Sequence, residues 1–394
     1  MDGLARRHRL IGTVAAVAAV TAAAAGCGGS GSDSSNGGKK EYAIGFQGPL
    51  SGENQQLGIN AYNGVLTAID EANRNTRLPF TLRIVASDDQ GTPEQGPTAA
   101  QKLVDNKDVV AVVGPVFSGA TKSSEPLFSQ AGLLSVSPSA TNPQLTDLGF
   151  KTFYRVIAPD TVQGSAAANY LAKALKAKRV FSLDDRSDYG TGLSTALEKG
   201  LRADAVTVTH DGINPTKDYT SEATKIIADH PDAVYYSGYY AEFALLVKAL
   251  RGKGYTGKIM AGDGANDDQF IAQAGAATAE GTLLTCACGD ANSDPKAARF
   301  VSQFKDVNSG AKPGTYSGEA YDATEAIISV LTNEGTKATR TSVRDDFRSV
   351  NIPGVTKQIR FDGRGEVQGS TVYVYEVRNG HRVVLGPTDQ LTKP

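Results

Sequence analysis

The chain has 394 residues, 40 Lys and Arg against 42 Asp and Glu, and a formal net charge of −2. Acidic and basic residues are mixed without a basic block, which argues against a nucleic-acid partner. Three cysteines are too few for a disulfide scaffold, and no stretch after position 26 stays apolar long enough to span a bilayer.

The first segment reads as an address. Arg6, Arg7 and Arg9 precede a 16-residue apolar run, Leu10 to Ala25, which ends in small residues before Cys27. A positive region, a short apolar region and a small-residue processing site make a secretory signal over residues 1–26. A cysteine at the new start implies a lipoprotein, with a lipid on Cys27. An ordinary secretory signal with an incidental cysteine is the competing reading. Residues 28–40, GGSGSDSSNGGKK, contain nothing apolar to bury. Residues 27–40 are therefore expected to form a flexible tether.

The 368 residues after position 26 suit two domains. A strand from Tyr42 ends in a glycine-rich turn, and a helical apolar spacing runs from Ile59 to Ile69. Phe80–Ala86 alternates as a strand, Glu94–Leu103 is helical, and Val109–Val113 is wholly apolar, as in a buried parallel sheet. A helix near 121–130, a strand at Leu133–Val136 and a short element after Pro143 follow. The pattern restarts after Pro159 with a helix over 161–175. Strands are expected at Arg179–Leu183, Val206–Thr209, Ala233–Tyr236, Lys258–Ala261 and Gly281–Cys286. Helices between them are expected at Gly190–Gly200, Tyr219–Ala228, Ala241–Arg251 and Phe270–Gln273. Helices at Pro295–Val307, Tyr316–Thr332 and Thr341–Phe347 precede a terminal hairpin turning at Asn379–Gly380. Alternating strands and helices define an α/β chain with mostly parallel sheets.

Cys286 and Cys288 either pair or stay reduced. Two residues apart on an extended strand, they lie about 6.6 Å apart at Cα, near the upper limit for a disulfide. Two sulfurs without nearby histidines make no convincing metal site.

Ligands meet parallel sheets at the carboxyl ends of strands. Ser118, Ser139 and Thr141 follow first-half strands and precede helix starts, whose free N–H groups suit a carboxylate. Tyr189, Tyr239 and Asp263 follow second-half strands and offer aromatic surface with one carboxylate, which suits an ammonium group. A zwitterionic amino acid between the halves satisfies both sets. Simple N-capping by Ser118, Ser139 and Thr141, edge packing by the tyrosines and a turn role for Asp263 compete with that reading. No catalytic set emerges. His8 lies in the signal, His210 follows a strand without a cysteine, serine or carboxylate partner in a recognised motif, His230 precedes Pro231 at a helix end, and His381 lies in the terminal hairpin. There is no phosphate loop and no zinc helix, so no cofactor is expected.

The segments IGFQGPLSG, DDQGTPEQG, VVGPVFSGAT, SPSATNPQL, DDRSDYGTG, DAVYYSGYYAE and MAGDGAND, in this order, resemble the periplasmic solute-binding proteins of branched-chain amino acid ABC transporters. The resemblance runs from about Tyr42 to the C-terminus. It implies a two-lobe, type I periplasmic binding fold, with residues 41–159 and 288–370 in lobe one and 160–287 and 371–394 in lobe two. It places the carboxylate-binding hydroxyl on Ser118, a backbone-and-threonine clamp on Ser139, Ala140 and Thr141, tyrosines on Tyr189 and Tyr239, and the acidic ammonium partner on Asp263. Family members often carry glutamate there. An early aromatic lining position falls near Leu57, with Phe117 as a further lining residue. The resemblance implies an amino acid, aliphatic or branched-chain, as ligand and an ABC permease and ATPase as partners. A monomer is expected, with the signal and Cys27 anchoring it by lipid on the outer side of the cell membrane, and without a nucleophile–base arrangement no enzyme activity is expected. An amide, urea, aromatic acid or small peptide as ligand, or sensing for a membrane receptor, are the alternatives.

Overall fold

The computed structural model describes residues 38–393. Cys27, the expected signal over 1–26 and most of the expected tether lie outside the described residues. Five parallel strands form the first sheet: β1 (Lys40–Gly48), β2 (Phe80–Asp88), β3 (Val109–Val113), β4 (Leu134–Ser137) and β5 (Phe153–Arg155), ordered β2-β1-β3-β4-β5. Lys40, assigned on sequence to the tether, already pairs with Phe80 in β1. Five parallel strands begin the second sheet: β6 (Arg179–Asp184), β7 (Thr207–Gly212), β8 (Ala233–Ser237), β9 (Lys258–Ala261) and β10 (Leu283–Cys286). A separate short ladder pairs β11 (Asn351–Pro353) with β12 (Gln358–Arg360). The terminal hairpin, β13 (Tyr373–Arg378) and β14 (His381–Pro387), adds antiparallel strands to the second sheet, ordered β14-β13-β10-β9-β8-β6-β7. This is the two-lobe α/β binding fold that the sequence implies.

Central strands are largely apolar and buried because helices cover both faces. All five residues of β3 are buried, as are all five of β8. The helix Gln55–Arg74 buries Leu57, Ala61, Val65, Ala68 and Ile69 against the first sheet, on the face that its 3.6-residue period predicts. The helix Ser317–Glu334 packs along it and so belongs to the first lobe in space, although the second sheet intervenes in sequence.

Strand order fixes where loops converge. In the first sheet β1 sends the chain to β2 on one side, and β3 lies on the other. In the second sheet β6 separates β7 from β8 in the same way. Such reversals part the connecting loops at the carboxyl edge and leave a crevice there.

Cys286 and Cys288 are bonded to each other, with Cα atoms 4.9 Å apart. The chain bends at Ala287 and Cys288, immediately after β10, and so brings the two Cα atoms closer than an extended strand does. Among the described residues no helix is long and apolar enough to cross a membrane.

Candidate functional site

The first half of the site sits on the loops after β3 and β4, which are neighbours in register, with Val113 opposite Val136. After β3, Phe117 is extended and Ser118 opens the helix Ser118–Ala131. After β4, Ser137 accepts the N–H of Ala140 at 2.9 Å and donates its hydroxyl to Pro115 O at 2.6 Å. Ser139 donates to Val116 O at 2.6 Å, and Asn142 N–H donates to Ser118 Oγ at 3.2 Å. These bonds lash the two loops together. The Ser139 hydroxyl proton and the Ala140 N–H, both expected in a ligand clamp, are therefore used within the protein. Thr141 differs: its hydroxyl is buried and makes no hydrogen bond of good geometry among the described residues.

Arg155, at the end of β5, supports this loop from below. It is fully buried, donates Nη1 to the carbonyls of Ala140 and Asn142 at 3.0 and 2.8 Å, and pairs through Nε and Nη2 with Glu366. Five guanidinium donors in a fixed plane can hold two carbonyls and a carboxylate at once. The sequence reading missed Arg155, because a three-residue strand ending in arginine has no apolar signature.

The second half sits on the loops after β6, β8 and β9. Asp184 lies opposite Ser237, and Tyr236 opposite Ala261, so the next residues of all three loops emerge side by side. Tyr189, in the first turn of the helix Asp188–Ala203, donates its hydroxyl to Asp263 Oδ1 at 2.7 Å and accepts the Gly264 N–H at 3.0 Å. Tyr189 also explains the two glycines around Asp263. A Cβ on Gly262 would stand 2.6 Å from the Tyr189 hydroxyl oxygen, and one on Gly264 would stand 2.7 Å from its ring. The glycines admit the tyrosine and are more than turn formers.

Asp263 is wholly buried. Besides Tyr189, it accepts from Gln163 Nε2 at 2.6 Å on Oδ1 and from Tyr316 Oη at 2.8 Å on Oδ2. Burial raises its pKa, and the three side-chain hydrogen bonds pull it back. All three donors are neutral.

The halves face each other. The ring of Phe117 stacks on Tyr239 at 4.2 Å and 22°, and Tyr239 lies 5.2 Å from Tyr189. Lys122 reaches Asp188 at 2.7 Å, Asn60 Nδ2 reaches Asp267 at 2.8 Å, and Asn54 Nδ2 reaches Glu242 at 3.1 Å. Leu57 is buried in the continuous apolar core. Of the residues singled out on sequence, Phe117, Ser118, Thr141, Tyr189, Tyr239 and Asp263 thus converge. Gln163, Tyr316 and Asp160 join them unpredicted.

Two α/β lobes, each offering polar side chains from the carboxyl edge of its sheet to a shared cleft, define a solute-binding protein. Residues 41–382 match the family model described as periplasmic binding protein. The chain belongs to that family, whose members bind solutes for transport and are not enzymes. It is 32% identical to the Leu/Ile/Val-binding protein BraC3 of Rhizobium johnstonii over 86% of this chain and 92% of that one. Among solved structures it is similar to the leucine binding protein LivK of Thermotoga maritima, with 28% identity, a TM-score of 0.81, and coverage of 88% of this chain and 98% of that one. It is also similar to the branched-chain amino acid transporter substrate binding protein LivJ of Streptococcus pneumoniae, solved with isoleucine. There the identity is 27% and the TM-score 0.80, over 88% of this chain and all of that one.

Proposed function

We propose that this protein captures an α-amino acid, aliphatic or branched-chain, between its lobes and delivers it to an ABC permease and its ATPase. The observation that carries the reading is Asp263. A carboxylate sealed between two lobes and supported by neutral donors alone has no cationic partner among its hydrogen-bonded neighbours. Buried charges are stabilised by pairing, and a ligand ammonium supplies the missing charge. The start of the helix Ser118–Ala131 and the buried Thr141 hydroxyl stand on the opposite lobe and suit the ligand carboxylate.

Arg6, Arg7 and Arg9, the apolar run and Cys27 support a lipid-anchored form on the outer face of the cell membrane. An anchored monomer with residues 27–39 as tether keeps a released ligand close to the permease. Lobe one then comprises 41–159 and 288–370, and lobe two 160–287 and 371–394. Calorimetric titration with the common amino acids tests the reading. Saturable binding of leucine, displaced by isoleucine and valine, is expected, and absence of binding to every amino acid contradicts it.

A further inference from the structure

Asp160 stands outside the set that the sequence singles out. It is the first residue of the helix Asp160–Asn169 and is wholly buried. Its N–H donates to Thr141 O at 2.8 Å, which fixes it against the hydroxyl loop of the first lobe. Three residues later on the same helix, Gln163 donates to Asp263 at 2.6 Å. Residues three apart share a helix face, and the Asp263 charge acts on the Asp160 carboxyl. Its Oδ2 lies against the second lobe, where a Cβ on Gly192 would stand 3.1 Å from it.

The two aspartates are unequally satisfied. Asp263 accepts three side-chain hydrogen bonds. Both oxygens of Asp160, like the adjoining Thr141 hydroxyl, lack a hydrogen bond of good geometry among the described residues. Arg155 is near, but its guanidinium is committed to Glu366, Ala140 and Asn142. Burial, and next the charge of Asp263, push Asp160 well above the usual carboxylate range; Thr141 and Arg155 offset this only in part. A buried polar group with open acceptor sites calls for a partner.

We propose that Asp160 is a ligand-binding residue: its carboxylate and that of Asp263 together bracket the ammonium group of the bound ligand, beside Thr141. This rests on the amino-acid reading above. A carboxylate has about four acceptor sites, so Asp263 has roughly one left while Asp160, with only Thr141 beside it, has most of its own. Asp263 is then chiefly a charge partner, and Asp160 the main acceptor of N–H donors. A primary ammonium, with three donors, fits such a bracket. A quaternary one of equal charge does not.

The test uses the purified full chain and calorimetric titration with leucine, its 2-hydroxy analogue 2-hydroxy-4-methylpentanoate, and N,N,N-trimethylleucine. Asp160→Asn, with Asp160→Ser as companion should the first fail to give the folded circular-dichroism spectrum, is expected to weaken leucine binding at least about tenfold. Binding of the hydroxy acid should weaken far less, because its 2-hydroxyl brings one neutral donor where the ammonium brings three charged ones. Wild-type protein should bind trimethylleucine at least about a hundredfold more weakly than leucine. Unchanged leucine affinity in the variants, parallel losses for leucine and the hydroxy acid, or equal binding of trimethylleucine overturns the assignment. Failure of wild-type protein to bind leucine counts against the amino-acid reading itself, and is seen before any variant is made.

Discussion

Tyr316 donates its phenolic hydroxyl to Asp263 Oδ2 at 2.8 Å, and so joins the start of a first-lobe helix to a second-lobe carboxylate. Tyr316 has a φ of 71°, in the left-handed region that a bulky residue rarely occupies. That turn precedes the helix Ser317–Glu334 and places the ring in the cleft. Strain of this kind persists where surrounding structure holds it. Because the bond crosses between lobes, it exists only when they meet.

Tyr316→Phe keeps the ring and removes the bond. Loss of one hydrogen bond to a buried charge costs about 1.5–3 kcal/mol, or roughly 10- to 150-fold in affinity. Calorimetry should show leucine binding weakened in that range, with the melting temperature of the ligand-free protein little changed. Wild-type affinity in the variant contradicts a role in closure.

The Phe117–Tyr239 stack is the aromatic contact between the loops after β3 and β8. Tyr239→Ala removes the pair, worth about 0.5–1.5 kcal/mol beyond its buried area. The variant should bind leucine more weakly, with the change in the dissociation rate, measurable by stopped-flow fluorescence of the tyrosines. A change confined to the association rate argues against a contact formed on closure.

Closing the empty cleft buries Asp160 beside Asp263, which costs either their repulsion or the uptake of a proton by Asp160, and so opposes closure. Asp160→Asn removes one charge. In small-angle scattering without ligand, the variant should have a smaller radius of gyration than wild type, shifted toward the leucine-bound value. Identical ligand-free values contradict the repulsion.

Glu125 gives a pH signature unrelated to the ligand. It is buried in the helix Ser118–Ala131 and hydrogen-bonded by Ser135, and burial pushes its pKa from 4.5 up to about 8. Between those values the folded protein holds a proton that the unfolded chain releases, so stability falls as pH rises through the window, by up to about 1.4 kcal/mol per unit. Glu125→Gln removes this titration. Its melting temperature relative to wild type should rise from pH 5 to pH 8, measured by calorimetric scans at each pH. Parallel curves contradict the assignment.

Much of the fold was legible because buried parallel strands announce themselves. Val109–Val113 and Lys258–Ala261 have in the structure the bounds that their apolar runs predict. Phe153–Arg155 is silent: it is short, and its buried arginine finds its charge partner, Glu366, 211 residues away. Separation in sequence also hides Tyr316: its partner Asp263 lies 53 residues earlier, and the residue itself stands just before a helix whose apolar period runs on into it. Asp160 and Gln163 read as an ordinary helix start after Pro159. Nothing local distinguishes a carboxylate that faces solvent from one that faces Asp263. Periodicity also could not show that the helix Ser317–Glu334 returns to the first lobe, which depends on its packing along Gln55–Arg74.

The central claim is that the cleft pairs the charge on Asp263 with a ligand ammonium. Calorimetric titration of wild type and Asp263→Asn with leucine and with 2-hydroxy-4-methylpentanoate tests it most directly. The substitution is expected to weaken leucine binding by about two orders of magnitude, as for loss of a buried charged partner, and to affect the uncharged hydroxyl of the hydroxy acid far less. Equal effects on the two ligands contradict it.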